Sequence, residues 1–367
     1  MKIAIRTAAL ASATALTLAL AACSSSDPSV TTSATSTATV APLAGELNGA
    51  GASSQEKAQE AWKATFEGAN SGVTLNYDPV GSGGGRTQFL DGAVSFAGSD
   101  SLMNADEYAL AAERCDGDLG AAHLPVYISP IAVMFNLDGI DSLNMTPDVI
   151  AQIFDGKITK WNDPAIAADN AGVSLPDAAI TVVHRSDESG TTSNFTDYLE
   201  KASTSWPYPK GGDWPNAIGE GGPGTSGVID LITGTVGTIG YADASRAADF
   251  GTVAIKVGDA FVSFSPEGAA AAVAASPLAE GANGANDLAY KLDRKTTAAG
   301  AYPLVLVSYI IVCQQYDDPA ERALVTEYVK FMASDEGQGI AASAAGSSPI
   351  GALSAEIIAI ADLIAAG

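Results

Sequence analysis

The sequence has 367 residues, enough for two domains that each bury a core. It carries 42 Asp and Glu against 18 Lys and Arg, so the formal net charge of −24 argues against nucleic acid or an acidic membrane surface as a partner. Any bound anion must therefore be held by a local site. The two His residues leave little for metal or acid–base chemistry, and we expect neither a metal nor a cofactor.

Residues 1–22 have the pattern of an export signal. Lys2 and Arg6 precede a short apolar run, and Leu20-Ala21-Ala22-Cys23 has the pattern of the lipobox of bacterial lipoproteins. We therefore expect Cys23 to be acylated and to become the new N-terminus. The alternatives are a plain secretory signal or a membrane-spanning helix, for which the apolar run is short.

Residues 23–44 are rich in Ser, Thr and Ala and contain few large apolar side chains. Such a segment cannot bury enough surface to fold, so it is interpreted as a flexible tether. A tethered domain would act close to the membrane.

The folded part begins with a predicted helix N-terminus at Ser53 and Ser54, after a run of Gly and Ala. Ser53 and Glu56 have the spacing of a capping box, and the residues expected on the buried face of the helix are Ala58, Trp62 and Phe66. The hydroxyls and the exposed N–H groups of this helix start suit an anion, although a capping box alone would also explain the pattern.

A glycine-rich stretch follows the strand predicted at 73–77. Gly81 to Arg86 has the sequence G-S-G-G-G-R, which can form a concave nest of N–H groups around an anion. A flexible turn is the alternative. The stretch is neither a Walker A loop nor a nucleophile elbow.

Asp100 follows a short strand predicted at 94–96. A carboxylate repels a bare oxyanion but accepts a hydrogen bond from one that carries a proton. Monohydrogen phosphate carries such a proton at neutral pH and sulfate does not, so Asp100 could supply selectivity by penalising the wrong ligand. The alternative is that Asp100 caps a local turn.

Besides Cys23, the chain contains Cys115 and Cys313. Two cysteines in an exported chain favour one disulfide, with two free thiols as the alternative. No CxxC or zinc spacing is present.

A strand, a polar loop and a helix are predicted in succession at 179–199. The apolar run 180–183 suits a buried strand, and Phe195, Leu199 and Ala202 have helical spacing. The carboxyl end of a strand that opens into a helix is where α/β proteins bind ligands. The polar groups that could form an anion cradle there are Arg185, Ser189, Gly190 and Thr191. An ordinary capped helix with a surface Arg is the alternative.

The rest of the chain also alternates between strands and helices. Residues 124–137 predict a long apolar strand that crosses between lobes near Pro130, and 302–312 predict the returning strand. Helices are expected to start at Thr146-Pro147, at Asp318-Pro319 and at Ser354, and 206–224 is expected to be a long surface loop.

Four motifs together resemble one known family. G-A-G-A-S-S, G-S-G-G-G, F-A-G-S-D and R-S-D-E-S-G-T-T occur in the order and at the separations found in the phosphate-binding receptors (the PstS family) of bacterial ABC phosphate importers. D-G-K-I-T-K-W and V-G-T-I-G-Y are similar to further segments of that family. The resemblance covers roughly residue 45 to the C-terminus.

The resemblance implies a role for each matching residue. Arg185 would pair with ligand oxygens and Asp187 would orient its guanidinium, while Asp100 would accept the ligand's proton. Glu188 departs from the small residue common in the family and is expected to face solvent. The implied phosphate-binding residues are Ser53, Ser54, Ser82, Asp100, Arg185, Ser189, Gly190 and Thr191.

The implied fold is an α/β, two-lobed periplasmic-binding-protein fold with a hinge and a central ligand cleft. Lobe I would comprise 45–130 and 304–367, and lobe II 131–303. The expected protein is a monomeric receptor, not an enzyme, that is exported and lipid-anchored to the outer face of the cell membrane. It would pass inorganic phosphate to a membrane permease. The alternatives are a receptor for sulfate or molybdate, a phosphatase or serine hydrolase, and a surface adhesin.

Overall fold

A computed structural model describes residues 42–115, 119–279 and 284–367. The predicted signal peptide, most of the predicted tether and Cys23 therefore lie outside the described residues. The strands are β1 (Ala44–Gly51), β2 (Gly72–Asp78), β3 (Phe96–Ser99), β4 (Ala121–Phe135), β5 (Ser142–Met145), β6 (Thr181–Arg185), β7 (Glu220–Gly222), β8 (Thr238–Asp243), β9 (Gly251–Val257), β10 (Ala260–Val262) and β11 (Val305–Cys313).

Helices connect most of these strands and cover the sheet. They are α1 (Glu56–Ala69), α2 (Ser82–Leu90), α3 (Ala105–Arg114), α4 (Pro147–Phe154), α5 (Pro164–Asp169), α6 (Gly190–Ala202), α7 (Gly224–Gly234), α8 (Pro266–Ala274), α9 (Pro319–Ala333), α10 (Asp335–Ala345) and α11 (Leu353–Ala366). No described helix is long and apolar enough to cross a membrane.

The strands form one curled mixed sheet in the order β2-β1-β3-β11-β4-β8-β6-β7, with β9 pairing with β4, β5 and β10. The long strand β4 is shared between its two halves. Residues 121–130 of β4 pair with β11, whereas 131–135 pair with β8 and the end of the strand also pairs with β9. All fifteen residues of β4 are buried, which accounts for the continuous apolar run in its sequence. Helices packed around this sheet complete a two-lobed α/β fold.

Several local predictions are confirmed. Thr146 caps α4 through its side chain, Asp318 caps α9, and both helices have Pro in the first turn. The predicted buried face of α1 is buried at Ala58, Trp62 and Phe66. The later helices likewise bury apolar residues at helical spacing, namely Ile150, Ile153, Phe154, Leu324, Tyr328, Met332, Ile357, Ile360, Ala361 and Ile364. Cys115, which follows α3, forms a disulfide with Cys313 at the end of β11.

Other local predictions are wrong. The glycine-rich stretch after Gly81 is the first turns of α2 rather than an irregular nest, because that helix packs closely against β1. The strand predicted at 94–96 starts at Phe96, and the loop predicted at 206–224 contains β7. The lobe boundaries predicted near 130 and 304 stay a prediction.

Candidate functional site

Five chain segments that follow strands meet at one place in the fold. β1, β2, β3, β6 and β7 are each followed by a short turn, and four of these turns lead directly into α1, α2, α6 and α7. β1 pairs in parallel with β2 and β3, and β6 pairs in parallel with β7, so within each group the carboxyl ends lie at the same edge. Helix N-termini and polar turn residues are thereby collected around a common point.

Asp100, directly after β3, lies at the centre of this cluster. Its Oδ1 accepts hydrogen bonds from Ser54 Oγ at 2.6 Å and from Ser308 Oγ at 2.5 Å, and its Oδ2 accepts one from Thr191 Oγ1 at 3.0 Å. Its backbone N–H donates to Ser82 Oγ at 3.1 Å. The residues bonded to Asp100 come from both halves of the chain, so the carboxylate fixes their relative positions.

Burial dominates the electrostatics of Asp100. Because desolvation disfavours the charged carboxylate, it raises the pKa of Asp100 above the usual value, while the donated hydrogen bonds and the charge of Arg185 act in the opposite direction. Asp100 is 5% exposed. The three hydroxyl donors oppose the effect of burial because they stabilise the charged carboxylate.

Arg185, the last residue of β6, is held by the carboxylate of Asp187. Arg185 Nε donates to Asp187 Oδ1 at 2.8 Å, and a second guanidinium N–H, on Nη2, donates to Oδ2. Asp187 Oδ1 also accepts the N–H of Gly224 at 3.0 Å, which ties the start of α7 to the same pair. The guanidinium is buried and its orientation is set by this fork-to-fork contact.

The first turn of α6 approaches the other segments closely at Gly190. A Cβ atom on Gly190 would lie closer than 3.0 Å to Ser82 Oγ and to Asp100 Cβ. A Cβ on Gly81, whose φ is +92°, would meet the carboxylate of Asp187. The Oγ of Ser189 accepts the N–H of Thr192, so that hydroxyl caps its own helix. Glycine at 81 and 190 thus allows α2 and α6 to meet at their N-termini.

Ser53 does not form the predicted capping box. Its Oγ accepts the N–H of Thr225 and shares a hydrogen bond with Thr225 Oγ1, each at 3.0 Å, and the first turn of this segment is a short 3-10 helix at 53–55. Glu56 instead contacts Ser226 and Arg246. The hydroxyl of Ser53 is therefore used for a contact with α7 rather than for its own helix.

Glu188 does not face solvent as predicted. Its Oε2 lies 3.2 Å from Nη2 of Arg86, whose Nε donates to Glu107 at 2.8 Å. Its side chain is about one-third exposed. The buried guanidinium of Arg86 on α2 thus offsets the negative charge that Glu188 brings next to the anion-cradle residues.

The structure thus brings together all eight predicted site residues and Asp187. It adds three that the sequence analysis missed: Ser308, Thr225 and Asn194. Asn194 Nδ2 donates to the backbone carbonyl of Asp100 at 2.7 Å. The sequence could have indicated Ser308, because it is the only serine in the apolar run 302–312. Nothing in the sequence around Thr225 or Asn194 distinguishes these two residues.

Chemically, the cluster offers many hydroxyl and N–H donors, one guanidinium and one carboxylate in a buried setting. This set suits an oxyanion that also carries a proton, because the donors and Arg185 satisfy charged oxygens while Asp100 can accept the remaining hydrogen. Among the described residues no group of three or more His, Cys, Asp and Glu side chains could hold a metal ion.

Comparisons with known proteins first define the class. Residues 36–336 match the family model described as a PBP superfamily domain. A solved structure of a high-affinity periplasmic phosphate-binding protein, PfluDING, bound with phosphate, superposes with a TM-score of 0.69 at 21% identity, covering 86% of this chain and 93% of that one. The fold is that of the two-lobed periplasmic binding proteins, as predicted.

Closer relatives specify the family within that class. Phosphate-binding protein PstS 3 of Mycobacterium leprae is 38% identical over 283 residues, which are 74% of this chain and 74% of that protein. Phosphate-binding protein PstS of Xylella fastidiosa is 33% identical over 292 residues, 78% of this chain and 77% of that protein. The chain belongs to the PstS family of phosphate-binding proteins, which confirms the predicted resemblance.

Proposed function

We propose that this protein captures inorganic phosphate in the cleft between its lobes and delivers it to the membrane permease of an ABC phosphate importer. The observation that carries the proposal is the environment of Asp100. A buried carboxylate that accepts hydrogen bonds from Ser54, Ser308 and Thr191 stands beside the donors of three helix N-termini. Family membership supports the same ligand.

The arrangement of the site residues supports the following contacts with phosphate. Arg185 pairs with phosphate oxygens while Asp187 holds its guanidinium. The proposed direct donors and contacts are Ser53, Ser54, Ser82, Ser189, Gly190 and Thr191. Asp100 accepts the ligand's proton, and this requirement discriminates against sulfate and molybdate. Hinge motion along the shared strands β4 and β11, near the predicted lobe boundaries, would open and close the cleft.

The function is binding rather than turnover. A hydrolase would need an activated nucleophile, but neither histidine ring is hydrogen-bonded to a serine in the described parts of the chain. His123 pairs with Asp287 at 2.9 Å, and His184 faces the carbonyl of Arg185 and stacks on Trp214. No observation favours an enzyme over a receptor.

The remaining parts of the proposal concern location. The lipobox sequence supports acylation at Cys23, and the tether that follows would hold a monomeric receptor at the outer face of the cell membrane. Mass spectrometry of the membrane fraction tests the lipid: the N-terminal peptide should start at a diacylated Cys23. An unmodified N-terminus would remove the anchor from the proposal without affecting phosphate capture.

Calorimetry with phosphate, arsenate and sulfate tests the central proposal. Phosphate and arsenate should bind tightly in a ratio of one per chain, because both carry a proton at neutral pH. Sulfate should give no binding heat at the same concentrations. Equal affinity for sulfate would favour a general oxyanion receptor, and turnover of phosphate esters by metal-free protein would favour a hydrolase.

A further inference from the structure

Two cavities flank the candidate site, and their linings differ in charge. A cavity of about 310 Å³ lies on the side of Ser53 and Thr225, and its charged lining residues are Glu56 and Asp187. A larger cavity of about 710 Å³ lies on the side of Asp100 and is lined by four cations, Lys201, Lys210, Lys291 and Arg294. Two carboxylates, Asp100 and Asp197, complete the charged lining of the larger cavity.

Not all of these four cations have a close carboxylate among the described residues. Arg294 is buried and pairs with Asp197 at 2.8 Å, and Lys201 lies 3.2 Å from a carboxylate oxygen of Glu200. Lys210 and Lys291 have no carboxylate within 4.0 Å of their ammonium groups in the described parts of the chain. Within the described residues, Lys210 and Lys291 thus have no close counter-charge, although Asp197 and Glu200 act on Lys210 from farther away, in a chain whose formal net charge is −24.

The larger cavity ends at the candidate phosphate site. Its lining includes Asp100 itself and Val307 and Tyr309, the two neighbours of Ser308 on β11. Asn194 also lines it, and this side chain donates to the backbone carbonyl of Asp100 and accepts from Arg294. An anion in this cavity would therefore lie next to the carboxylate that we propose to be the selectivity element.

We propose that this cavity is an outer anion-binding site through which phosphate enters, with Lys210 and Lys291 as the residues that attract it. The inference rests on the proposed function. The overall negative charge repels phosphate, so a locally positive approach would raise its concentration beside the site and increase the association rate. The outer site would accept any small dianion, sulfate included, and selection would follow at Asp100.

Rapid mixing with inorganic phosphate tests the proposal. Association and dissociation rates would be followed by stopped-flow tryptophan fluorescence, and affinity by calorimetry, for the Lys210→Gln/Lys291→Gln double variant. The matched control, Lys63→Gln/Lys160→Gln, removes two lysines that pair with Glu67 and Asp177 and do not line the cavity. Both double variants change the net charge equally.

The cavity variant should associate with phosphate about three- to tenfold more slowly than wild type at low ionic strength, with an unchanged dissociation rate. The difference should disappear near ~0.5 M salt, where charges are screened. At constant ionic strength, replacing chloride with sulfate should slow association in wild type more than in the cavity variant. The control should resemble wild type.

Two results would overturn the inference while leaving the proposed function intact. One is an unchanged association rate in the cavity variant, and the other is an equal loss in both double variants, which would indicate an effect of net charge alone. Slower association together with faster dissociation would mean that the lysines stabilise bound phosphate instead of attracting free phosphate. If calorimetry shows no phosphate binding to wild type, the proposed function is wrong, and the proposed outer anion-binding site is then wrong as well.

Discussion

Ser308 of β11 donates its hydroxyl proton to Asp100 Oδ1 at 2.5 Å, joining the C-terminal part of the chain to the turn after β3. Ser308 Oγ is in turn approached by Gln55 Nε2 at 2.6 Å. Gln55 thus donates to the serine oxygen, and the hydroxyl proton of the serine is left for the carboxylate. A glutamine and a serine, neither of which the motifs indicated, thus help to hold the carboxylate that we propose as the selectivity element.

Replacing Asp100 with Asn should relax selectivity. The neutral amide no longer repels a fully ionised oxyanion and is a weaker acceptor for the phosphate proton. We expect phosphate affinity to fall about ten- to hundredfold, the range for a lost hydrogen bond to a charged group, and sulfate binding to become measurable. Calorimetry with both anions measures the ratio of phosphate affinity to sulfate affinity. Discrimination equal to that of wild type would show that Asp100 is not the selectivity element.

Replacing Ser308 with Ala should change how binding depends on pH. Ser308 is among the donors that hold the pKa of Asp100 down against the effect of burial, so its loss raises that pKa further. Asp100 then stays protonated to higher pH and cannot accept from the ligand. Phosphate affinity should be about three- to tenfold weaker, and its decline on acidification should begin at a higher pH than in wild type.

Titrations between pH 5 and 8 would measure this effect for Ser308→Ala. Ser276→Ala is the control, since the hydroxyl of Ser276 donates to the backbone carbonyl of Ala272 instead of to a carboxylate. Parallel pH profiles separated by a constant factor would show that Ser308 contributes a contact without tuning the acid.

Replacing Gly190 with Ala should weaken binding without unfolding the protein. The added methyl would lie closer than 3.0 Å to Ser82 and Asp100, so the start of α6 must move away from the turn after β3. We expect at least about a tenfold loss of phosphate affinity, since several contacts shift together. Gly234→Ala is the control, because a Cβ there meets nothing within 4 Å. Similar effects of both substitutions would contradict the close-approach argument.

Asp243 should make stability depend on pH in the direction opposite to most carboxylates. Burial raises its pKa to about 6 from an ordinary value of 3.8, although Tyr127 and Ser245 donate to it. The folded state therefore holds an extra proton between these values, so this group's contribution to the free energy of unfolding falls as pH rises from about 4 to 6. The substitution Asp243→Asn removes this pH-dependent contribution.

The stability of Asp243→Asn relative to wild type should accordingly improve with rising pH, by up to about 3 kcal/mol between pH 4 and 7, from roughly two pKa units. Urea unfolding of both proteins at several pH values measures this difference in the free energy of unfolding. A difference that is constant with pH would mean that Asp243 does not titrate in this range.

Much of the fold and site could be predicted because the signals are local. The strand, polar loop and helix of 179–199 and the proline-initiated helices depend on neighbouring residues, and the structure has them where the sequence placed them. The glycine-rich start of α2 shows why local rules fail elsewhere. Gly85 lies so close to Gly51 of β1 that a Cβ would overlap the strand, so packing sets its conformation despite glycine's poor helix propensity.

The missed parts depend on contacts that are distant in sequence. Ser53 has a capping-box partner three residues away, but its hydroxyl is used by Thr225, 172 positions later. Glu188 was expected to face solvent because a negative charge beside the anion cradle would be unfavourable, but it pairs with Arg86, which lies 102 positions earlier. No periodicity or spacing rule reports which of many distant groups a side chain will meet.

The Cys115–Cys313 bond closes a covalent ring that contains the whole middle of the chain, including the long segment between α6 and α7. A protease that cuts once anywhere inside this ring would leave two peptides that stay covalently joined. Their junction lies at the ends of α3 and β11, so the strand that carries Ser308 would keep its attachment. Nicked molecules would separate on a gel only after a reductant is added.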